Sequence, residues 1–252
     1  MEEQIKNYIL DLGVDDVGFA RMEDYQSPKS YAITSFLPSA KSVIVLAYKP
    51  LSSCESPSMT AAQNGYLDLG SFARSSSYQI ARYLERTHNA KVATLPVAYP
   101  LDIQDDRKAI ADFSQRHAAV AAGLGSFGRH NLVIHPRFGT RVIFTSIITN
   151  LSLQPSPKCE EFCTHCNLCV ENCPARALDE EGKTDVVRCL SHSQPYGLIA
   201  DITFQMQRLG SQPEEQKQML TGAQYARLRQ SAHLGNQYMC YNCLKSCPLG
   251  LA

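Results

Sequence analysis

The spacing of the cysteines constrains this chain more than any other feature of it. Nine of the ten lie beyond residue 158, and Cys54 stands alone before them. Cys163, Cys166, Cys169 and Cys173, followed by Pro174, form the pattern C-x2-C-x2-C-x3-C-P. Two-residue gaps let a backbone wrap around a compact cluster and present three sulfurs to three irons. The wider gap and the proline then carry the fourth sulfur outward to a second cluster. Near the end of the chain Cys240, Cys243 and Cys247, followed by Pro248, repeat the pattern without its first cysteine. Cys189 supplies the missing position across an insertion of about fifty residues. A crossed arrangement then places Cys163, Cys166, Cys169 and Cys247 on one [4Fe–4S] cluster and Cys189, Cys240, Cys243 and Cys173 on the other. Eight cysteines make two complete sets.

Two alternatives compete with this reading. CxxC pairs also build zinc knuckles, but zinc needs only four ligands per site and has no use for two C-x3-C-P endings. Disulfides require an oxidising compartment. The chain begins Met-Glu-Glu-Gln-Ile-Lys, unlike a signal peptide or a twin-arginine leader, and no run approaches eighteen apolar residues, so the expected location is the cytoplasm with no membrane association. Cys54 and Cys159 are left over and read as passive thiols. The 24 basic and 24 acidic side chains cancel, which argues against a general polyanion binder.

The cysteine density divides the 252 residues into a segment 1–155 and a cysteine-rich segment 156–252, joined at Gln154-Pro155-Ser156-Pro157. In the first, Ile5, Tyr8, Ile9 and Leu12 have helical spacing before Gly13. Val17–Ala20 reads as a short strand, and Ser42–Tyr48 (SVIVLAY) as a strand buried on both faces. The Ser-rich stretch from Ser52 to about Gly65 reads as loop, and Phe72–His88 as helix. Val92–Tyr99 reads as a strand that Pro96 interrupts, hence an edge or a bulge. A helix is expected from about Arg107 to Ala122, and strands over Leu132–His135 and Arg141–Thr149. Strands mixed with helices indicate an α+β layered domain. The insertion at about 191–239 looks helix-rich.

Gly123, Gly125 and Gly128 match G-x-G-x-x-G, but a helix runs into this loop and a strand leaves it, the reverse of a dinucleotide fingerprint. A nicotinamide site is therefore rejected. Three glycines in six residues still imply close backbone approach, to a tight turn or to a flat ligand.

The stretch from Ala122 to Arg141 (AGLGSFGRHNLVIHPRFGTR), the cysteine run after it, and Arg188-Cys189-Leu190-Ser191 together resemble epoxyqueuosine reductases and reductive dehalogenases. LGVDDVGFA and LPSAKSVIVLAY are also similar. The resemblance implies a nitroreductase-like α/β sandwich that holds base-off cobalamin, followed by a bacterial-ferredoxin-like double [4Fe–4S] module. It further implies clusters that pass electrons singly to cobalt, a low-potential donor such as ferredoxin or flavodoxin, and a small-molecule substrate. By the same resemblance Gly123, Gly125, Ser126, Phe127, Gly128, Arg129 and His130 match the loop that lies near the corrin. Ala109 falls where the epoxyqueuosine reductases carry a proton-donating aspartate. No export leader of the dehalogenase kind is present, and the chain stops shortly after Pro248, before the helical-repeat region of full-length epoxyqueuosine reductases. That end and the neutral net charge argue against tRNA as a partner.

Reduction of a substrate needs a proton source. His117, on the apolar stripe of the expected helix, is one candidate, although a packed core histidine explains it as well. Tyr99 and Asp102, in the turn after an expected strand, are the others. A carrier that reduces or delivers a corrinoid for another enzyme, and a cluster protein with a flavin domain, are the competing functions.

Overall fold

The computed structural model describes residues 1–96, 101–103, 109–235 and 240–249, with the backbone alone at 101–103 and 109. Helix α1 (Glu2–Asp11) leads into strand β1 (Asp16–Arg21), the short helix α2 (Ile33–Phe36) and β2 (Ser42–Tyr48). The 30-residue helix α3 (Met59–His88) follows, then β3 (Val92–Leu95), β4 (Leu101–Ile103) and β5 (Ala109–Ala111). Helix α4 (Gln115–Ala121) precedes the short strands β6 (Ser126–Phe127) and β7 (Val133–Ile134) and the long strand β8 (Ile143–Thr149). The elements described after β8 are all helices: α5 (Leu168–Glu171), α6 (Val186–Ser193), α7 (Leu198–Gly210), α8 (Pro213–Thr221), α9 (Ala223–Leu234) and α10 (Asn242–Lys245). Among the described residues no helix is long and apolar enough to cross a membrane.

Strands β1, β2, β8 and β3 form one antiparallel sheet in that order. Every residue of β2 is buried, because the sheet is covered on both faces. Ile44, Leu46 and Tyr48 pack with Ile5 and Ile9 of α1 and with Leu69, Ala73, Ile80 and Leu84 of α3. Val43, Val45 and Ala47 alternate onto the other face, against Ala118, Ala119 and Ala122 around α4. The α4 side comes so close to β1 that a Cβ on Gly18 would stand 2.2 Å from the Ala122 carbonyl oxygen. This sheet between two helical layers is the mixed α/β sandwich the sequence indicates.

Two stretches differ from their sequence patterns. Residues 59–65 belong to α3 and not to a loop. Ser58 caps the helix by accepting from the Ala61 amide at 3.4 Å, and Gly65 lets it pass close to Cys54, whose Sγ would lie 2.8 Å from an added Cβ. The helix expected from about Arg107 is also shorter. Leu101–Ile103 and Ala109–Ala111 pair as a hairpin, and α4 starts only after Ser114, whose Oγ accepts from the His117 amide. The apolar residues Ile110 and Phe113 have helical spacing with His117, but the cap at Ser114 and the pairing of β5 with β4 win over it.

Asp16 ties one edge of the sheet to the turn before β8. Its Oδ2 lies 2.8 Å from Arg137 Nη2 and 3.3 Å from His135 Nε2, the latter outside full hydrogen-bond geometry. Burial pushes the Asp16 carboxyl up, but His135, Arg137 and the Val17 amide outweigh it and hold the carboxyl well below the usual carboxylate range. A depressed folded value means that this stability is present above about pH 4 and is lost as pH falls through the folded value. Asp16→Asn is therefore expected to lower stability by about 1–2 kcal/mol at pH 7, with the gap closing in acid. Chemical denaturation of both proteins from pH 7 down to pH 3 measures it; a gap that does not narrow in acid refutes the ionic account.

Candidate metal centre

The chain between the sheet and the first cysteine run has no regular structure, and the glycine loop seats it. Ser156 bonds the outer edge of β1, its amide donating to the Phe19 carbonyl at 2.8 Å and its Oγ accepting from the Phe19 amide at 2.9 Å. Beyond it the Cys159 thiol donates to the Gly123 carbonyl at 2.8 Å, and the Phe162 amide donates to Ser126 Oγ at 3.1 Å. Finally the Arg129 amide donates to Cys163 Sγ at 3.3 Å. Gly123 (φ +70°) and Gly125 (φ +151°) are left-handed or extended beyond what side chains tolerate. An added Cβ would stand 2.0 Å from the Pro157 oxygen at the first and 2.3 Å from the Ile134 oxygen at the second. At Gly123 and Gly125 the close approach is to the protein's own backbone.

Past Cys163 the chain turns tightly, with His165 (φ 53°) and Asn167 (φ 61°) in the left-handed region between successive cysteines. This wrapping brings Cys163, Cys166 and Cys169 around one cavity, which Cys247 closes from the far end of the sequence together with Arg129, His130 and Ile134. Burial pushes the Cys169 and Cys247 thiols up, and the neighbouring Cys163 and Cys166 add to it. Cys173 leaves this group. It sits with Cys189, Cys240 and Cys243, and burial followed by these three neighbours pushes the Cys243 thiol up to about 12. Burial also raises the Cys189 thiol, with Ser193 opposing and Cys173 and Cys240 reinforcing. Among the described residues no three His, Cys, Asp or Glu side chains converge on a position for a single ion. Thiols held high by burial and mutual repulsion become thiolates only beside strong positive charge, which the irons of a cluster provide. Backbone amides already point at Cys163 and Cys173, the latter from Ala177 at 3.3 Å. The donor set fits two cubanes.

The other sequence candidates are placed as follows. Ser126, buried, is used by Phe162. Arg129 turns toward residues 180 and 181, donating to the Glu180 carbonyl and lying 4.0 Å from the Glu181 carboxylate. An added Cβ on Gly128 would lie 2.6 Å from the His130 ring. His130 itself is buried beside the first cysteine cavity; burial pulls it down to about 4, and its Nε2 has no hydrogen-bond partner. Phe127 is half-buried and meets His117 edge-on at 5.0 Å. His117 Nδ1 lies 2.7 Å from Ser114 Oγ, and burial, then the Arg116 charge, lowers its pKa. Tyr99 lies outside the described residues. So does the side chain of Asp102, whose backbone pairs with Ile110.

Sequence reasoning missed two residues that act on the thiols. Ser193, four positions after Cys189 on α6, bonds its thiol, and helical spacing alone could have found it. Arg141 lowers the Cys247 thiol across 106 residues, and no local signal announces it.

The 4Fe-4S binding domain family matches residues 160–179. The epoxyqueuosine reductase of Lactococcus garvieae is 23% identical over 244 residues, covering 87% of this chain and 65% of that protein. An epoxyqueuosine reductase solved with an epoxyqueuosine-modified tRNA-Tyr stem loop superimposes with a TM-score of 0.62 at 20% identity, covering 98% of this chain and 64% of the other. A reductive dehalogenase described in terms of B12-dependent dehalogenation gives a TM-score of 0.56 at 17% identity over 93% of this chain and 36% of its own. The chain thus spans less than two thirds of the length of these relatives.

The tRNA-bound neighbour overturns the expectation that argued against tRNA as a partner. A net charge of zero carries no weight in that question, because phosphate binding depends on where Lys and Arg cluster and not on their sum. The position at which the polypeptide stops says equally little about the surface it keeps. With a match to the 4Fe-4S binding domain family on a mixed α/β fold, the chain is similar to the epoxyqueuosine reductases and the reductive dehalogenases.

Proposed function

We propose that this protein is an iron–sulfur reductase. One [4Fe–4S] cluster is bound by Cys163, Cys166, Cys169 and Cys247, and the other by Cys173, Cys189, Cys240 and Cys243. Residues 1–155 form the substrate and cofactor domain, and 156–252 the cluster domain. The observation that carries the reading is the grouping of the cysteines, in which each set of four draws on both copies of the motif. Ten cysteines without a disulfide support a reducing compartment, and the cytoplasm is the proposed location.

The acceptor proposed for the electrons is a corrinoid, on the strength of the B12-dependent neighbour. Bound, it would supply a strongly reducing cobalt centre. Gly123 and Gly125 are occupied by the chain itself, so the residues left to meet a corrinoid are Phe127 and His117. His117, oriented through Ser114 Oγ, is the group proposed to take up a proton from solvent and pass it on to substrate, returning to the neutral ring; its lowered pKa makes the protonated form the stronger acid. The epoxide of an epoxyqueuosine nucleoside in tRNA is the first substrate to test, by similarity to the named relatives.

Anaerobically purified protein is expected to contain about eight irons and about eight sulfides per chain. Zinc in place of iron, or no metal at all, removes the reading. Retention of added cobalamin through gel filtration tests the corrinoid separately, and its failure leaves the iron–sulfur assignment standing. A second reading, a carrier that delivers electrons to another enzyme, is favoured by Ala109 on β5, where the relatives' aspartate is expected by resemblance. Turnover of modified tRNA by the chemically reduced protein decides against the carrier.

A further inference from the structure

Helix α7 carries an apolar stripe that the described residues leave exposed. Leu198, Ile202, Met206 and Leu209 are 56%, 48%, 66% and 71% exposed, and their spacing of four, four and three puts them on one side of the helix. The helix has another face for its own packing: Phe204 is 1% exposed and stacks on Tyr225 of α9 at 5.8 Å. An outward face of a helix so packed is ordinarily polar. Asp201 and Arg208 lie between the two faces, seven residues apart and hence one above the other along a single edge of the stripe.

We propose that α7 is the contact of a homodimer, paired antiparallel with α7 of a second copy about a two-fold axis near residue 204. In that pairing Leu198 meets Leu209 of the second copy, Ile202 meets its Gln205 and Met206, and Asp201 faces its Arg208. Symmetry repeats each contact. Antiparallel helices bring like edges together, so an edge with an acid at one end and a base at the other, about equally far from the axis, complements itself. A partner of different sequence would require no such arrangement. Zero net charge adds no general repulsion between copies. A contact built on a 13-residue helix is small for a specific interface, so association is expected in the micromolar range.

The test is sedimentation velocity of the full cluster-loaded chain, without oxygen, across the micromolar range. The unmodified protein should shift from monomer to dimer with concentration, and Ile202→Glu should remain monomeric throughout. Asp201→Arg should weaken the dimer about tenfold or more, and adding Arg208→Asp to it should restore association. The substituted positions are exposed or half-exposed on a helix surface, and iron content with far-UV circular dichroism verifies that each variant is folded. A monomer at every concentration, a dimer indifferent to Ile202→Glu or Asp201→Arg, or a double reversal no tighter than the single one would each overturn the proposal.

Discussion

Cys173→Ala is expected to expose Cys189, Cys240 and Cys243 to alkylation while Cys163, Cys166, Cys169 and Cys247 stay protected. The result runs against the linear order of the chain, in which Cys173 closes the motif begun by Cys163. The structure sends it the other way, to the group whose proximity raises the Cys243 thiol. Removing one thiolate leaves three half-buried sulfurs around a cluster with an open corner, and such clusters lose iron. Burial then favours the neutral thiol at Cys189 and Cys243, and the freed cysteines react as the local structure opens. Iron should fall from about eight toward about four per chain. Mass mapping after anaerobic alkylation reads the pattern directly. Protection lost at Cys163, Cys166 and Cys169 instead would mean that each motif binds its own cluster, and the crossed assignment would fail. The reciprocal variant Cys247→Ala should give the mirror image, with Cys163, Cys166 and Cys169 reactive.

What the sequence discloses and what it hides follow from the range of the forces involved. The run Ser42–Tyr48 is apolar at every position because helices cover both sides of β2, and composition alone reveals that. Cysteine spacing is equally legible, since cluster geometry dictates the local wrap and closure of two sets of four dictates the rest. The first turns of α3 are hidden. Serine, asparagine and glycine favour loops locally, and only the distant Cys54, pressed against Gly65, shows why a glycine suits this helix. The β4–β5 hairpin is hidden for the opposite reason: Ile110, Phe113 and His117 have helical spacing, yet the strand partner and the cap at Ser114 prevail. For the glycine loop the sequence indicates close approach without saying to what. A backbone neighbour 34 residues away, Pro157 against Gly123, has no periodicity to announce it.

That contact makes Gly123→Ala a severely damaging single-atom addition. Two separate penalties coincide at this position. Gly123 terminates α4 with φ +70°, a conformation that costs a residue with a Cβ about 1–2 kcal/mol. The added Cβ would also sit 2.0 Å from the Pro157 oxygen, a backbone atom that no rotamer change removes. Together they are expected to lower stability by about 3 kcal/mol or more. The displaced segment is the one that Ser156, Cys159 and Phe162 pin to the domain and that delivers Cys163, so iron content should fall as well. Gly70→Ala supplies the contrast. That residue lies within α3 with nothing within 4 Å of an added Cβ, and the change should stabilise by about 0.5–1 kcal/mol with iron unchanged. Thermal denaturation and iron analysis of the two variants, side by side, separate the contact from the general effect of losing a glycine. If Gly123→Ala kept both the midpoint and the iron of the unmodified protein, the loop would not be the seat of the cysteine run, and the coupling between the sheet domain and the clusters would have to lie elsewhere.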